Sequence, residues 1–110
     1  MAFYLVQLAY TSESWAAMIA NPTNRVEAVT PVLEQVGGRF AGEWFAFGKY
    51  DVVFIMEASD NQAASAFAVA VTASGAVKSY KTTPLMAIDE GIAAMKKAGE
   101  LSKSYKPPGA

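Results

Sequence analysis

The ten residues from Gly48 to Glu57, GKYDVVFIME, are the feature that most constrains the fold of this chain. A glycine-led turn runs into an apolar stretch with a carboxylate at each end, and the aromatic segment from Phe40 to Phe47 precedes it. Two such stretches around a short turn are typical of a β-hairpin. We therefore expect two paired strands here, joined at Gly48-Lys49.

A two-residue turn would fix the register of this hairpin. The predicted pairs are Phe47–Tyr50, Phe45–Val52 and Trp44–Val53. Alternation along the strands then separates two faces. The face expected beneath helices carries Glu43, Phe45, Phe47, Tyr50, Val52, Phe54 and Met56. The other face carries Phe40, Gly42, Trp44, Ala46, Asp51, Val53, Ile55 and Glu57.

The start of the chain is predicted to form a strand and a short helix. The segment from Phe3 to Tyr10 is rich in aromatic and aliphatic residues, and both of its faces are largely apolar. These properties favour a central strand. Ser12 is a suitable N-cap for a helix that reaches Ala20.

A second, longer helix is predicted between Asn21-Pro22, which provide a cap and a first-turn proline, and Gly37-Gly38, which end it. Pro31 interrupts its apolar pattern. Because proline removes a backbone hydrogen bond, we expect a kink between Glu27 and Pro31 or a restart capped by Thr30.

Three elements follow the hairpin. Asp60 is expected to cap a helix that reaches about Ser74 and ends at Gly75. The segment from Val77 to Met86 suits an edge strand. The C-terminal helix is predicted from Ile88 to about Lys103. The order of elements predicts an α+β, ferredoxin-like βαββαβ fold with a four-stranded antiparallel sheet. We expect a single domain over residues 1–103 and a tail over residues 104–110.

The hairpin also carries a family resemblance. Gly48, Tyr50 and Asp51, followed by Val52-Val53, resemble the signature of the GYD-domain family, a small bacterial family whose function is largely uncharacterised. Supporting positions are Tyr10-Thr11, Asn21-Pro22 with Arg25, Gly37-Gly38 and Glu57-Ala58. The resemblance spans about Phe3 to Met95 and implies a dimeric α+β barrel, in which two such sheets close on each other.

Composition excludes several classes of function. With a net charge of -1 and scattered basic residues, the chain has no electrostatic footprint for nucleic acid. No apolar run approaches the length of a membrane span, and no secretory signal is visible, so we expect a cytoplasmic protein. The chain has no Cys and no His, which excludes thiolate or imidazole metal sites and Ser-His or Cys-His nucleophile pairs within it. No metal and no cofactor are expected.

Self-association is expected from the hydrophobic content. Hydrophobic residues make up 53% of the chain and charged residues only 17%, which is more apolar than usual for a small domain. The sheet face that carries Leu5, Trp44, Val53 and Ile55 would be too apolar to leave in water. We expect a second copy of the chain to cover it, as a homodimer or a higher multiple.

The candidate ligand site lies on that same face. Its predicted residues are Gln7, Trp44, Asp51 and Glu57, with Tyr80 from the edge strand. Trp44 and Gln7 would line an aromatic pocket with a polar handle, although dimer packing explains Trp44 equally well. Asp51 and Glu57 could instead be structural. Asp51 would then accept hydrogen bonds from backbone N–H groups at the turn, and Glu57 would be exposed to solvent at the end of its strand. Arg25 would pair with a carboxylate or bind a ligand anion.

Two classes of function are compatible with these residues. In the first, an oligomeric protein binds a small organic ligand in the barrel cavity, with or without proton transfer by Asp51, Glu57 or a tyrosine. In the second, the barrel is solidly packed and the protein is a noncatalytic interaction module. A cavity with two convergent polar groups would favour the first class.

Overall fold

The computed structural model describes residues 1–109 as eight helices and strands around one antiparallel sheet. In chain order they are β1 (Ala2–Tyr10), α1 (Ser12–Ala20), α2 (Arg25–Glu34), β2 (Arg39–Phe45), β3 (Val52–Ala58), α3 (Asn61–Ala73), β4 (Val77–Leu85) and α4 (Ile88–Ser102). The strand order is β2-β3-β1-β4, with β1 and β3 at the centre. The predicted ferredoxin-like α+β fold is confirmed.

The core lies on one face of the sheet, which we call the helix face. Alternate residues of β1 and β3 point into it, as the period of two along a strand requires. Helices α2 and α3 cover these residues. The buried set comprises Tyr4, Val6, Leu8, Val52, Phe54, Met56, Ala58 and Val77 from the strands and Leu33, Ala64 and Phe67 from the helices.

The opposite face, which we call the open face, is only partly covered. Its two central cross-strand rows are Trp44–Val53–Gln7–Lys81 and Gly42–Ile55–Leu5–Thr83. The indole of Trp44 lies over Gly42, where an added Cβ would come within 2.8 Å of the ring. Trp44 is still 59% exposed.

The hairpin register is confirmed for two of the three predicted pairs. Phe45 pairs with Val52, and Trp44 pairs with Val53. The pairing does not extend to Phe47 and Tyr50, because Gly48 does not have the positive φ that a two-residue hairpin turn needs. A wider loop over residues 47–50 replaces the predicted turn.

Two aromatic residues that were predicted in the core are exposed. Phe47 lies in the wider loop and is 100% exposed. Phe45 faces the helix side, opposite Val52, but lies at the end of an edge strand and is 66% exposed. Their prediction as core residues was wrong because the hairpin extends past the helices.

Phe40 was also assigned to the wrong face. The register shifts between Phe40 and Gly42, so that Phe40 pairs with Met56 while Gly42 pairs with Ile55. An extra residue in one strand reverses the alternation on one side of it. The Phe40 ring therefore points to the helix face, where it lies 5.0 Å from the Phe54 ring in an edge-to-face contact.

The caps of α1 and α2 differ from the predicted ones. Thr11, not Ser12, caps α1, and its hydroxyl accepts a hydrogen bond from Ser14 N at 3.2 Å. Asn24, not Asn21, caps α2, because its side-chain oxygen reaches Val26 N at 3.0 Å. Helix α2 consequently begins three residues after Pro22.

Helix α2 runs without a break through Pro31, so the restart at Thr30, one of the two predicted alternatives, does not occur. The Thr30 hydroxyl instead donates to Val26 O at 2.7 Å. The predicted end of the helix is confirmed, since Gly37 has a φ of +74° and Gly38 N donates to Leu33 O at 3.1 Å.

The later elements agree with the sequence prediction. Asp60 caps α3 by accepting a hydrogen bond from Ala63 N at 2.9 Å, and Gly75 follows the helix with a φ of +81°. The predicted tail over residues 104–110 includes Ala110, which lies outside the described residues. Within residues 1–109, no helix is both long enough and apolar enough to cross a membrane.

We expect the replacement Leu33→Ala to destabilise the fold by about 2–5 kcal/mol, because Leu33 is fully buried and its truncation leaves a cavity. Urea unfolding followed by circular dichroism measures this change. The control Val69→Ala removes an aliphatic side chain that is 66% exposed and should change stability by less than about 0.5 kcal/mol. Equal effects of the two changes would contradict the assigned core.

Candidate functional site

The five predicted site residues do not share one surface. Gln7 and Trp44 lie in the same row of the open face, with Val53 between them. Tyr80 pairs with Leu8 and packs against the core on the helix face. The prediction that Tyr80 contributes to the open face was wrong, because its neighbour Lys81 occupies the position opposite Gln7.

Asp51 and Glu57 lie at the two ends of β3, and each has a partner. Asp51 Oδ2 accepts a hydrogen bond from Tyr10 N at 2.9 Å. Glu57 forms an ion pair with Arg39, the residue opposite it in β2. For Asp51 this agrees with the structural alternative, in which the carboxylate accepts a backbone N–H group.

A cavity of about 530 Å³ lies on the helix face, between α1 and α2 on one side and α3 on the other. Its walls are mostly apolar, and its volume falls within the usual range for sites of small organic ligands. The residues used below are Tyr10, Arg25, Phe54, Phe67, Val71 and Tyr80.

The core lies on this face, as the sequence predicts, and its residues Leu8, Phe54 and Phe67 form part of the cavity wall. Three of the residues that line the cavity from the surrounding elements are alanines, namely Ala17, Ala70 and Ala76. Their short side chains leave the space between the helices open.

The hydroxyl of Tyr80 is the most unusual polar group of the cavity. It is buried, and among residues 1–109 no group accepts its hydrogen. Tyr4, on the same face, donates to Asn61 Oδ1 at 2.6 Å. Burial raises the pKa of Tyr80 well above its ordinary value, so the phenol stays protonated at neutral pH and acts as a hydrogen-bond donor.

Arg25 gives the cavity a positive charge, and Tyr10 adds a second, neutral phenol. Burial raises the pKa of Tyr10, the guanidinium of Arg25 lowers it in part, and the carboxylate of Asp51 raises it further. Arg25 is the first residue of α2 and is exposed. In the described part of the chain, no Asp or Glu side chain forms an ion pair with Arg25. Its charge is therefore available to a ligand.

Sequence reasoning had one usable signal for this site. Adjacent residues of a strand point to opposite faces, so the charge of Lys81 already indicated that Tyr80 would point toward the helices. The cavity itself had no such signal. It depends on the separation of α2 and α3, which the periodicity of each helix does not determine.

No metal site emerges from the side chains. Across residues 1–109, no group of three or more Asp or Glu side chains is placed to hold a metal ion. The arrangement instead offers a neutral phenol donor and a guanidinium beside an apolar space. Such groups bind and orient an organic molecule that carries acceptor atoms.

We expect the pH dependence of stability to report the burial of Tyr80. The unfolded chain loses the phenol proton near pH 10.0, whereas the folded chain retains it to a higher pH. Below pH 10.0 the phenol of Tyr80 is protonated in both states and does not change the free energy of unfolding with pH. Above pH 10.0 the free energy of unfolding falls by up to about 1.4 kcal/mol per pH unit, because only the unfolded chain loses the proton. Urea unfolding between about pH 9 and 11.5 should show a shallower slope for Tyr80→Phe than for the wild type.

The control for this measurement is Tyr105→Phe. Tyr105 is 69% exposed, so its removal should leave the slope unchanged. Identical slopes for the wild type and Tyr80→Phe would mean that the Tyr80 phenol is not buried in solution.

Comparisons with known proteins give one finding. The sequence model of the GYD domain matches residues 4–97, which is most of the chain. Neither the curated proteins nor the solved structures include a significant match. The match covers all of the sheet except the first two residues of β1, and it extends into α4. This chain therefore belongs to the GYD-domain family.

Proposed function

We propose that this chain binds a small organic acid in the cavity of the helix face and works as a homodimer. The observation that carries the proposal is Tyr80, which lines the cavity and whose hydroxyl is buried without an acceptor among the described residues. An unsatisfied buried hydroxyl costs about 1–3 kcal/mol. A ligand that brings an oxygen acceptor to this hydroxyl recovers that free energy.

The apolar wall of the cavity favours a ligand whose main part is apolar. Phe54, Phe67 and Val71 line the cavity, and a hydrocarbon or aromatic ring placed there loses contact with water. Burial of apolar area supplies most of the affinity in such sites, and a few polar groups fix the orientation. A molecule with one ring and few polar atoms fits this lining.

The charge of Arg25 favours an anionic ligand. A guanidinium can bind both oxygens of a carboxylate, and Arg25 has no acidic partner among residues 1–109. The Tyr80 hydroxyl is buried and Arg25 is exposed. The cavity therefore offers a donor at depth and a cation nearer to solvent, which suits an acid with a second acceptor atom.

The test is a calorimetric and thermal-shift screen of aromatic and aliphatic carboxylic acids against their neutral amides. We expect Tyr80→Phe to weaken binding by about tenfold through the loss of one hydrogen bond. Arg25→Gln should weaken the acids and leave the amides unchanged. Filling the cavity with Val71→Phe should abolish both kinds of binding.

Lys81→Gln is the matched control, because it removes a positive charge from the open face next to Tyr80. It should leave acid binding unchanged. Binding that is insensitive to Tyr80→Phe, Arg25→Gln and Val71→Phe would overturn the assignment of the ligand to this cavity.

The open face is the surface that we propose as the homodimer interface. Trp44 is 59% exposed there, and Leu5, Val53 and Ile55 lie beside it in the two central rows. Among the eight residues of these two rows, Lys81 at the sheet edge is the only charged one, and the Arg39–Glu57 ion pair lies outside them. Such an apolar centre with a polar rim is typical of a surface that a second copy covers.

A pair of open faces would also enclose the site predicted from the sequence near Gln7, Trp44, Asp51 and Glu57. Two outcomes remain for that space, a ligand cavity or a solidly packed interior. The same screen with Trp44→Ala separates them. Loss of binding by Trp44→Ala but not by Tyr80→Phe would favour the open face as the ligand site.

We expect Trp44→Lys to convert the dimer to a monomer in light scattering at micromolar concentration, because pairing would have to desolvate the added charge. Phe45→Lys is the matched control. Phe45 is adjacent, 66% exposed and on the other face of the sheet, so its replacement should leave the dimer intact. A monomeric wild-type protein would contradict the proposed dimer.

A further inference from the structure

Helix α4 projects from the rest of the chain. The radius of gyration is 18.1 Å, whereas a compact domain of this length has about 13 Å. The longest dimension is 60 Å, against 32 and 23 Å for the other two. Within the described chain, α4 has no buried residue. The helix is thus built without packing against its own domain.

One side of α4 is nevertheless apolar. At 100° per residue, Ile88, Ile92 and Met95 fall on one stripe, together with Gly91 and Gly99. Ile88 is 81% exposed and Met95 is 67% exposed. A helix of 15 residues is marginal in water unless such a stripe is covered. A second molecule is therefore needed to cover it.

The charges on α4 discriminate between candidate partners. The helix carries Asp89, Glu90 and Glu100 against Lys96 and Lys97, so it has no excess of positive charge. An amphipathic helix that binds an anionic lipid surface typically has a basic polar face. The charge pattern thus favours a protein partner.

The charges beside the apolar stripe of one α4 helix are complementary to those of a second, antiparallel α4 helix. Asp89 and Lys96 flank the stripe on the same side and are seven residues apart. When two identical helices pair antiparallel, the same flank of each helix meets, so that Asp89 of one copy faces Lys96 of the other, twice. The same register places Ile92 against Met95, and Ile88 against the small Gly99.

We propose that α4 pairs antiparallel with α4 of a second copy of this chain, about a two-fold axis. This contact uses a different surface from the open face. It therefore adds a second contact between copies to the one in the proposed dimer. The accessible surface of the chain is 7644 Å², whereas a compact monomer of 11.7 kDa exposes about 5,900 Å². The excess of about 1,700 Å² per chain agrees with the projection of α4 from the rest of the domain.

The test uses charge reversal and mixing. In the homodimer of Asp89→Lys, two Lys–Lys contacts form across the helix pair, and in that of Lys96→Glu, two Asp–Glu contacts form. Each variant should dimerise several-fold more weakly than the wild type at low salt. When the two variants are mixed, both contacts pair opposite charges. Native mass spectrometry should then show heterodimers well above the statistical one half.

The matched control is the pair Glu90→Lys and Lys97→Glu. These residues are also seven apart but lie on the side of α4 away from the stripe. Their mixture should give the statistical proportion of heterodimers. Because mixing restores the contacts, the test also separates lost pairing from a helix that fails to form.

Three results would overturn the proposal. They are a statistical mixture for Asp89→Lys with Lys96→Glu, an equal preference in the control pair, and a wild-type chain that is monomeric and co-sediments with vesicles of phosphatidylcholine and phosphatidylglycerol. Dimerisation that is lost in Trp44→Lys, together with a statistical mixture in the first experiment, would leave the open-face contact standing and remove only the α4 pair.

Discussion

Strand β1 is the element on which the rest of the structure depends, because it is paired on both sides and contributes to both faces of the sheet. Its even-numbered residues Tyr4, Val6 and Leu8 point into the core. Leu5 and Gln7 point to the open face. At its end, Tyr10 N donates to the Asp51 carboxylate, and Leu8 O accepts from Asp51 N, so the start of β3 is bound to β1 by two hydrogen bonds. These bonds hold the two central strands in one register.

The sequence was sufficient for the order of elements and for most of the central pairing. The aromatic and β-branched runs on either side of Gly48 determined which strands pair. The pairs of Phe45 with Val52 and Trp44 with Val53 were predicted correctly because the loop over residues 47–50 is centred on the same Gly48-Lys49 as the predicted turn. Local irregularities were not predictable. The shift at Ala41, which moves Phe40 to the core, depends on the rings of Phe54 and Phe67, which lie far from Phe40 in sequence.

The candidate site was harder to predict for the same reason. Asn24 and Asn21 are equally good caps by residue type, and only the folded chain shows which of them reaches the N–H groups of α2. That choice places Arg25 at the first position of the helix, beside the cavity. The burial of the Tyr80 hydroxyl is likewise a tertiary property, since it requires the cover of α3 over an edge strand.

Strand β4 links the two surfaces for which we propose binding. Tyr80 lines the cavity on the helix face, and the next residue, Lys81, lies opposite Gln7 on the open face. As an edge strand, β4 is paired on one side only, with β1. In the proposed function, a ligand that contacts Tyr80 would therefore act on the same strand that carries Lys81 on the proposed dimer surface. Because coupling between two sites is reciprocal, any effect of the ligand on dimer affinity must appear equally as an effect of dimerisation on ligand affinity.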